Sequence, residues 1–163
     1  MILDAPATGH GVAILTAPGT FADAARMGPV ARQGGIIHGM LADPEQTAIV
    51  AVATPEEMPV NEMLALQEAL AAQLGQRFAG VVVNGVLPAR FTKAEADALR
   101  RARPGSRAVR AARAEAGRSR GHRAQLTRLR RGVDGVEVRT LPFLFRSELG
   151  PSELSSLAKE ILK

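Results

Sequence analysis

Three short apolar runs constrain the fold of this chain more than any other feature: "TAIVAVAT" (47–54), "FAGVVVNGV" (78–86) and "GVEVRTLPFLF" (135–145). The first two are nearly continuous in Val, Ile and Ala, without polar alternation. That is the pattern of strands covered on both faces in a parallel sheet. "MILD" (1–4) reads as the stub of a further strand ahead of them. Helical stretches lie between the runs. "PVNEMLALQEALAAQL" (59–74) places Pro59 in a first helical turn, puts Met63, Leu66, Leu70 and Leu74 on one face, and stops at Gly75. "TKAEADALRRA" opens with Thr92 and Glu95 at capping-box spacing, and "GPSELSSLAKEIL" sets Pro151 just inside another helix start.

Strands alternating with helices through short joints specify an α/β fold: part of a doubly wound, mostly parallel sheet flanked by helices. At 163 residues the expectation is one domain, with sections 1–46, 47–99, 100–131 and 132–163. With no Trp or Tyr and five Phe, its core must come from Ala, Val, Leu and Ile. The absence of Cys excludes disulfides, thiolate metal sites and cysteine nucleophiles. No signal-peptide pattern opens the chain, and no apolar run nears the roughly 20 residues that span a bilayer. A soluble, cytoplasmic protein is expected.

In α/β sheets ligands bind beyond the carboxyl ends of the strands, so the residues there carry the functional reading. Asp4, followed by the turn that holds Gly9, could hold magnesium directly or through water while backbone N–H groups meet a phosphate. The same residues serve equally as turn chemistry. Asn84, closing "GVVVN", could offer its amide to an adenine edge or tie down the loop that follows. Pro142 and Phe143 could wall a base ring or belong to the core. His10, His38 and His122 lack metal-site spacing; no zinc site is assigned, and the last two read as surface or core residues.

The net charge of +5 is unevenly spread. Residues 100–131 hold twelve Arg against one acid, Glu115, while the remaining sections carry nine basic and fifteen acidic residues. Arg103, Arg107, Arg110 and Arg113 recur at helical spacing, with Val109, Ala112, Ala116, Leu126 and Leu129 as an apolar face; Pro104, Gly105, Gly117 and Gly121 are expected to interrupt it. The stretch reads as a helix with a solvated basic side or as a binder of an anionic surface. It lacks the stacking aromatics of single-strand nucleic-acid sites, so nucleic acid is not an expected partner.

In order along the chain, "LDAPATGH" resembles the switch II segment D-T-A-P-T-G-H of the ArsA-like ATPases, the family of the arsenite-pump ATPase and the ATPase that targets tail-anchored membrane proteins. "VATPEEMPVNEMLAL" resembles that family's next strand and P-E-E loop, "VVVNGVLP" its V-V-N-x-x-x-P segment on the adenine side, and "TLPFLFRSELGPSEL" its closing L-P-x-x-x-x-E-x-x-G. The resemblance implies a P-loop NTPase-like fold, ATP or ADP with Mg²⁺ as ligands, and a homodimer that changes conformation with nucleotide; a membrane partner is compatible with it. It implies that Asp4 holds magnesium through water, that Gly9 senses the γ-phosphate beside Thr8 and His10, that Asn84 reads adenine, and that Pro142 and Phe143 line the base pocket.

The departures set the expected activity. No G-x-x-x-x-G-K-[ST] occurs in these residues, where the family carries G-K-G-G-V-G-K-T, and the switch I aspartate is expected upstream. Phosphoryl transfer rests mostly on electrostatic stabilisation by these parts. The chain therefore reads as the carboxyl-terminal half of such an ATPase, inactive without an amino-terminal P-loop half or second subunit. The rival reading is a non-catalytic dimerisation or interaction module. Ala5, Pro6 and Ala7 replace Thr, Ala and Pro of the switch turn, and the cysteines of arsenite or zinc sites are absent. Met27, Ile36 and Met40 could form a small apolar surface or pack in the core. An exposed sheet edge and a tendency to associate are expected where strands remain unpaired.

Overall fold

The three apolar runs become β1 (Ile49–Ala53), β2 (Phe78–Val86) and β3 (Val138–Pro142) in a computed structural model that describes residues 1–6, 8–103, 105–133 and 135–162. They form a three-stranded parallel sheet in the order β1-β2-β3, and helices flank it. The remaining elements are α1 (Thr8–Ala25), α2 (Pro29–Ala42), α3 (Glu57–Leu74), α4 (Lys93–Arg101), α5 (Arg107–Gly132) and α6 (Pro151–Ile161). The α/β architecture is thus the one the apolar patterning specifies. None of the described helices is long and apolar enough to cross a membrane.

Packing divides the chain into two units, Met1–Ala51 with Asn61–Gly80 and Val52–Val60 with Val81–Lys163. In the first unit α1 packs on α2 through glycine. A Cβ added to Gly34 would lie 2.7 Å from the Pro18 carbonyl oxygen and 3.1 Å from the Ala22 Cβ, and one added to Gly19 would lie 2.9 Å from His38 Nδ1. The small residues let the two backbones approach. Buried Gln76 donates through Nε2 to the Leu41 carbonyl at 3.1 Å, which fastens the segment after α3 to the end of α2.

Along α3 the buried positions are Val60, Met63, Leu70 and Leu74. They recur at helical spacing, and Leu66 lies to one side of them, half-buried. Left-handed Gly75 (φ 66°) ends the helix, as expected of a glycine there. In the second unit Val81, Val82 and Val83 of β2 are buried, as are Ala116, Leu126 and Leu129 of α5 and Val133 beyond it.

Four expectations are corrected. Residues 1–6 carry no regular structure, so "MILD" is not a strand; its backbone pairs with none of the described strands, and Met1, Ile2 and Leu3 are exposed. β1 is not covered on both faces: Ala51 is buried, but Val50 and Val52, which alternation turns to the opposite face, are 57% and 66% exposed. Of the two readings of Met27, Ile36 and Met40, core packing is the one overturned, because all three are exposed. Gly117 and Gly121 do not interrupt the Arg-rich stretch, because α5 runs through both. Each glycine costs a helix about 0.5–1 kcal/mol, less than the burial of Leu126 and Leu129 returns. Gly105 lies between α4 and α5 as expected, and Pro104 falls outside the described residues.

Candidate functional site

β2 and β3 end together, and the sequence dictates an irregularity there. Their register runs Val81↔Val138, Val82↔Arg139, Val83↔Thr140 and then Val86↔Pro142, so β2 holds one residue more than β3 over the last step. Asn84 and Gly85 occupy this bulge, and Gly85 takes φ 73°, a left-handed conformation open to glycine at little cost. A bulge turns side chains away from the regular alternation, and Asn84 is exposed to solvent. Beyond the bulge the Phe143 N–H donates to the Val86 carbonyl at 2.9 Å, which holds the two strand ends in step.

Phe143 is 46% exposed and meets Phe145 edge to face, with ring centroids 4.9 Å apart. The Arg90 guanidinium lies 4.4 Å above the Phe145 ring. Exposed Pro142 completes the strand end. An exposed amide and an open aromatic surface thus mark the adjoining ends of the two strands, and both kinds of group suit a planar heterocycle.

The loop after β2 is gripped by one side of α5. The Leu87 N–H donates to His122 Nδ1 at 3.2 Å, buried Ser119 donates through its hydroxyl to the Pro88 carbonyl at 3.1 Å, and Arg90 Nε lies 3.2 Å from Glu115 Oε1 as an ion pair. Glu115, Ser119 and His122 are four and three residues apart, hence on one helix face. Partial burial lowers the His122 pKa below its ordinary value; Glu56 opposes this and Arg118 reinforces it. Reading the sequence missed this clamp. Its one local signal is a polar Ser and His in line with Ala116 and Leu126 on the apolar side of α5.

The first unit holds the remaining candidates. Asp4 is exposed in the segment before α1 instead of closing a strand. Gly9 and His10 lie exposed in the first turn of α1, so the turn expected there is helical. Thr8 begins α1, but its side chain and Ala7 fall outside the described residues. Among the described residues no group of three or more His, Cys, Asp or Glu could hold a metal ion. Asn84, Pro142 and Phe143 thus lie at the adjoining ends of β2 and β3, and Asp4 has no carboxylate or imidazole cluster among the described residues.

A family model for anion-transporting ATPases matches residues 22–161. The chain belongs to the anion-transporting (ArsA) ATPase family. The match covers all three strands and all three base-side candidates, and it starts beyond the "LDAPATGH" segment. No curated protein matches the chain. Nucleotide and Mg²⁺ are what this ATPase family uses. The strand ends of this member present an exposed amide and exposed aromatic rings, and its sequence contains no G-x-x-x-x-G-K-[ST].

Proposed function

We propose that the chain is the carboxyl-terminal, base-side half of an ArsA-like ATPase that couples ATP binding and hydrolysis to a conformational switch serving anion transport or protein targeting. The observation that supports this reading is that Asn84, Pro142 and Phe143 stand at the adjoining ends of β2 and β3, within the residues that match the family. In this role the Asn84 amide reads the adenine edge, and Phe143 with Pro142 walls the ring. Asp4 contributes to magnesium through water, with Thr8, Gly9 and His10 forming the γ-phosphate-sensing segment.

The missing G-x-x-x-x-G-K-[ST] motif makes the reading specific. Without the P-loop's backbone amides and lysine, charge developing on the transferring phosphoryl goes unstabilised, so chemistry requires a partner that supplies them. The working form is then a cytoplasmic assembly with an amino-terminal P-loop half, paired as a homodimer in which ordering by the γ-phosphate biases two states.

Purified chain is expected to show no magnesium-dependent ATP hydrolysis, and addition of a P-loop-bearing amino-terminal half from this family should produce it. In the mixture Asn84→Ala should raise KM for ATP with a smaller effect on kcat. Hydrolysis by the isolated chain that Asp4→Ala abolishes would overturn the proposal.

A further inference from the structure

Basic residues from two helices line one cleft in the second unit. The cleft between α4 and α5, about 260 Å³, is lined by Lys93 and Arg100 from one helix and by Arg120 and Arg123 from the other, with Phe91, Thr92, Ala96 and Asp97 completing the wall. Asp97 is the carboxylate of this lining, and it pairs with Arg100. Among the described residues Lys93, Arg120 and Arg123 make no ion pair. Three exposed basic side chains thus border a common space, and an anion bound among them offsets their mutual repulsion.

We propose that this cleft binds a phosphate group, as a phosphomonoester or as inorganic phosphate. The lining carries a net charge of +3 from four cations and one carboxylate, which suits a dianion better than a single carboxylate. Three of the cations are guanidinium groups, whose planar forks meet two oxygens of one phosphate at a time. The volume admits a phosphate and a small attached group but not an α-helix, about 10–12 Å across with its side chains. Phe91 and Ala96 give the attached group an apolar contact. Neither the base-side residues Asn84, Pro142 and Phe143 nor Asp4 line the cleft, so this site is separate from the proposed nucleotide contacts.

The test is a titration of the isotope-labelled full chain with inorganic phosphate, followed by NMR at the arginine Nε–H and backbone amide signals. In parallel, sedimentation with phosphatidylcholine vesicles containing phosphatidic acid offers the same monoester on a lipid. Saturable shifts confined to Lys93, Arg120 and Arg123 are expected. The R120Q/R123Q double substitution should weaken binding at least tenfold, while R130Q/R131Q, an equal loss of charge outside the cleft, should change it less than twofold. Binding of free phosphate places the source in solution. Binding of vesicles alone, lost in R120Q/R123Q, places it in a headgroup; both uphold the site. Equal weakening in the two double variants, or shifts spread along the whole of α5, would overturn it. So would equally tight binding of an acidic peptide.

Discussion

The Leu87 backbone N–H donates to His122 Nδ1 at 3.2 Å, a contact between residues 35 positions apart that ties the exit of β2 to the middle of α5. An acceptor Nδ1 carries no proton, so the neutral ring must hold its proton on Nε2. Ser119 and Glu115 reinforce the tie on the same helix face, and Arg90, held by Glu115, also covers Phe145. The basic helix is therefore mechanically joined to the loop that follows Asn84.

Acid should loosen this joint. The folded-state pKa of His122 is lowered chiefly by burial, so as pH falls through about 6.5 the unfolded chain takes up the proton first. The stability that neutral His122 contributes is full above that value and is lost as pH falls through the lowered folded-state pKa. Protonation also replaces the acceptor with a second donor facing the Leu87 N–H. Urea midpoints should accordingly drop from pH 8 to pH 5.5 more in the parent chain than in His122→Asn, which offers an amide oxygen that does not titrate. An equal drop in both would exclude His122 as the cause.

Ser119→Ala removes the middle contact of the clamp. Ser119 is 3% exposed, and its hydroxyl is the donor to Pro88. Pro88 itself is exposed, so its carbonyl can turn to water and the cost should stay near the usual net value of about 0.5–1.5 kcal/mol. Hydrogen exchange should distinguish local from global loosening. The Leu87 amide is expected to exchange faster by a larger factor than amides in the middle of α3.

How far the sequence was informative depends on the range of each interaction. β2 was legible because Val81, Val82 and Val83 are continuous and apolar, and α4 because Thr92 and Glu95 lie within one turn. Both signals are local. "MILD" failed as a strand because strand formation needs a neighbour, which four residues of sequence do not disclose. Gly117 and Gly121 were over-weighted because intrinsic propensity is weak against a buried seam contributed by other elements. The site divides in the same way. Asn84, Pro142 and Phe143 stand at strand ends and could be picked out, whereas the bond of Leu87 to His122, or the placing of Arg120 and Lys93 on one cleft, depends on packing between distant segments.

Neighbouring glycines in α2 should respond oppositely to one substitution. Gly34→Ala sets a methyl group 2.7 Å from the Pro18 carbonyl oxygen, a backbone atom with no rotamer to yield, so α1 and α2 must part. A loss of about 1–3 kcal/mol is expected from such overpacking. At Gly35 an added Cβ meets nothing within 4 Å, and Gly35→Ala should stabilise by about 0.5–1 kcal/mol through helix propensity. Chemical denaturation of the two variants beside the parent measures both. Destabilisation of equal size at both positions would mean that α1 and α2 do not meet at Gly34.

The start of α4 gives a prediction whose size depends on pH. Glu95 Oε2 accepts from the Thr92 N–H at 2.8 Å, and the Glu95 N–H donates to Thr92 Oγ1 at 3.3 Å, a reciprocal box that satisfies two backbone donors. The Thr92 backbone N–H, followed by its hydroxyl, holds the Glu95 carboxyl below its ordinary pKa. A lowered carboxylate pKa contributes stability that is full above about 4.3 and fades as pH falls through the folded-state value. Thr92→Ala should therefore cost about 1 kcal/mol near pH 7, where both halves of the box are formed. The Thr92 hydroxyl also donates to Glu95 Oε2 at 2.8 Å, and near pH 3 the protonated carboxyl accepts this bond more weakly, so the parent has already lost part of what the substitution removes and the cost should be smaller. Denaturation of parent and variant at the two pH values reads this difference directly, and a cost that does not change with pH would show that the bond from the Thr92 hydroxyl to the Glu95 carboxylate adds nothing to the cap.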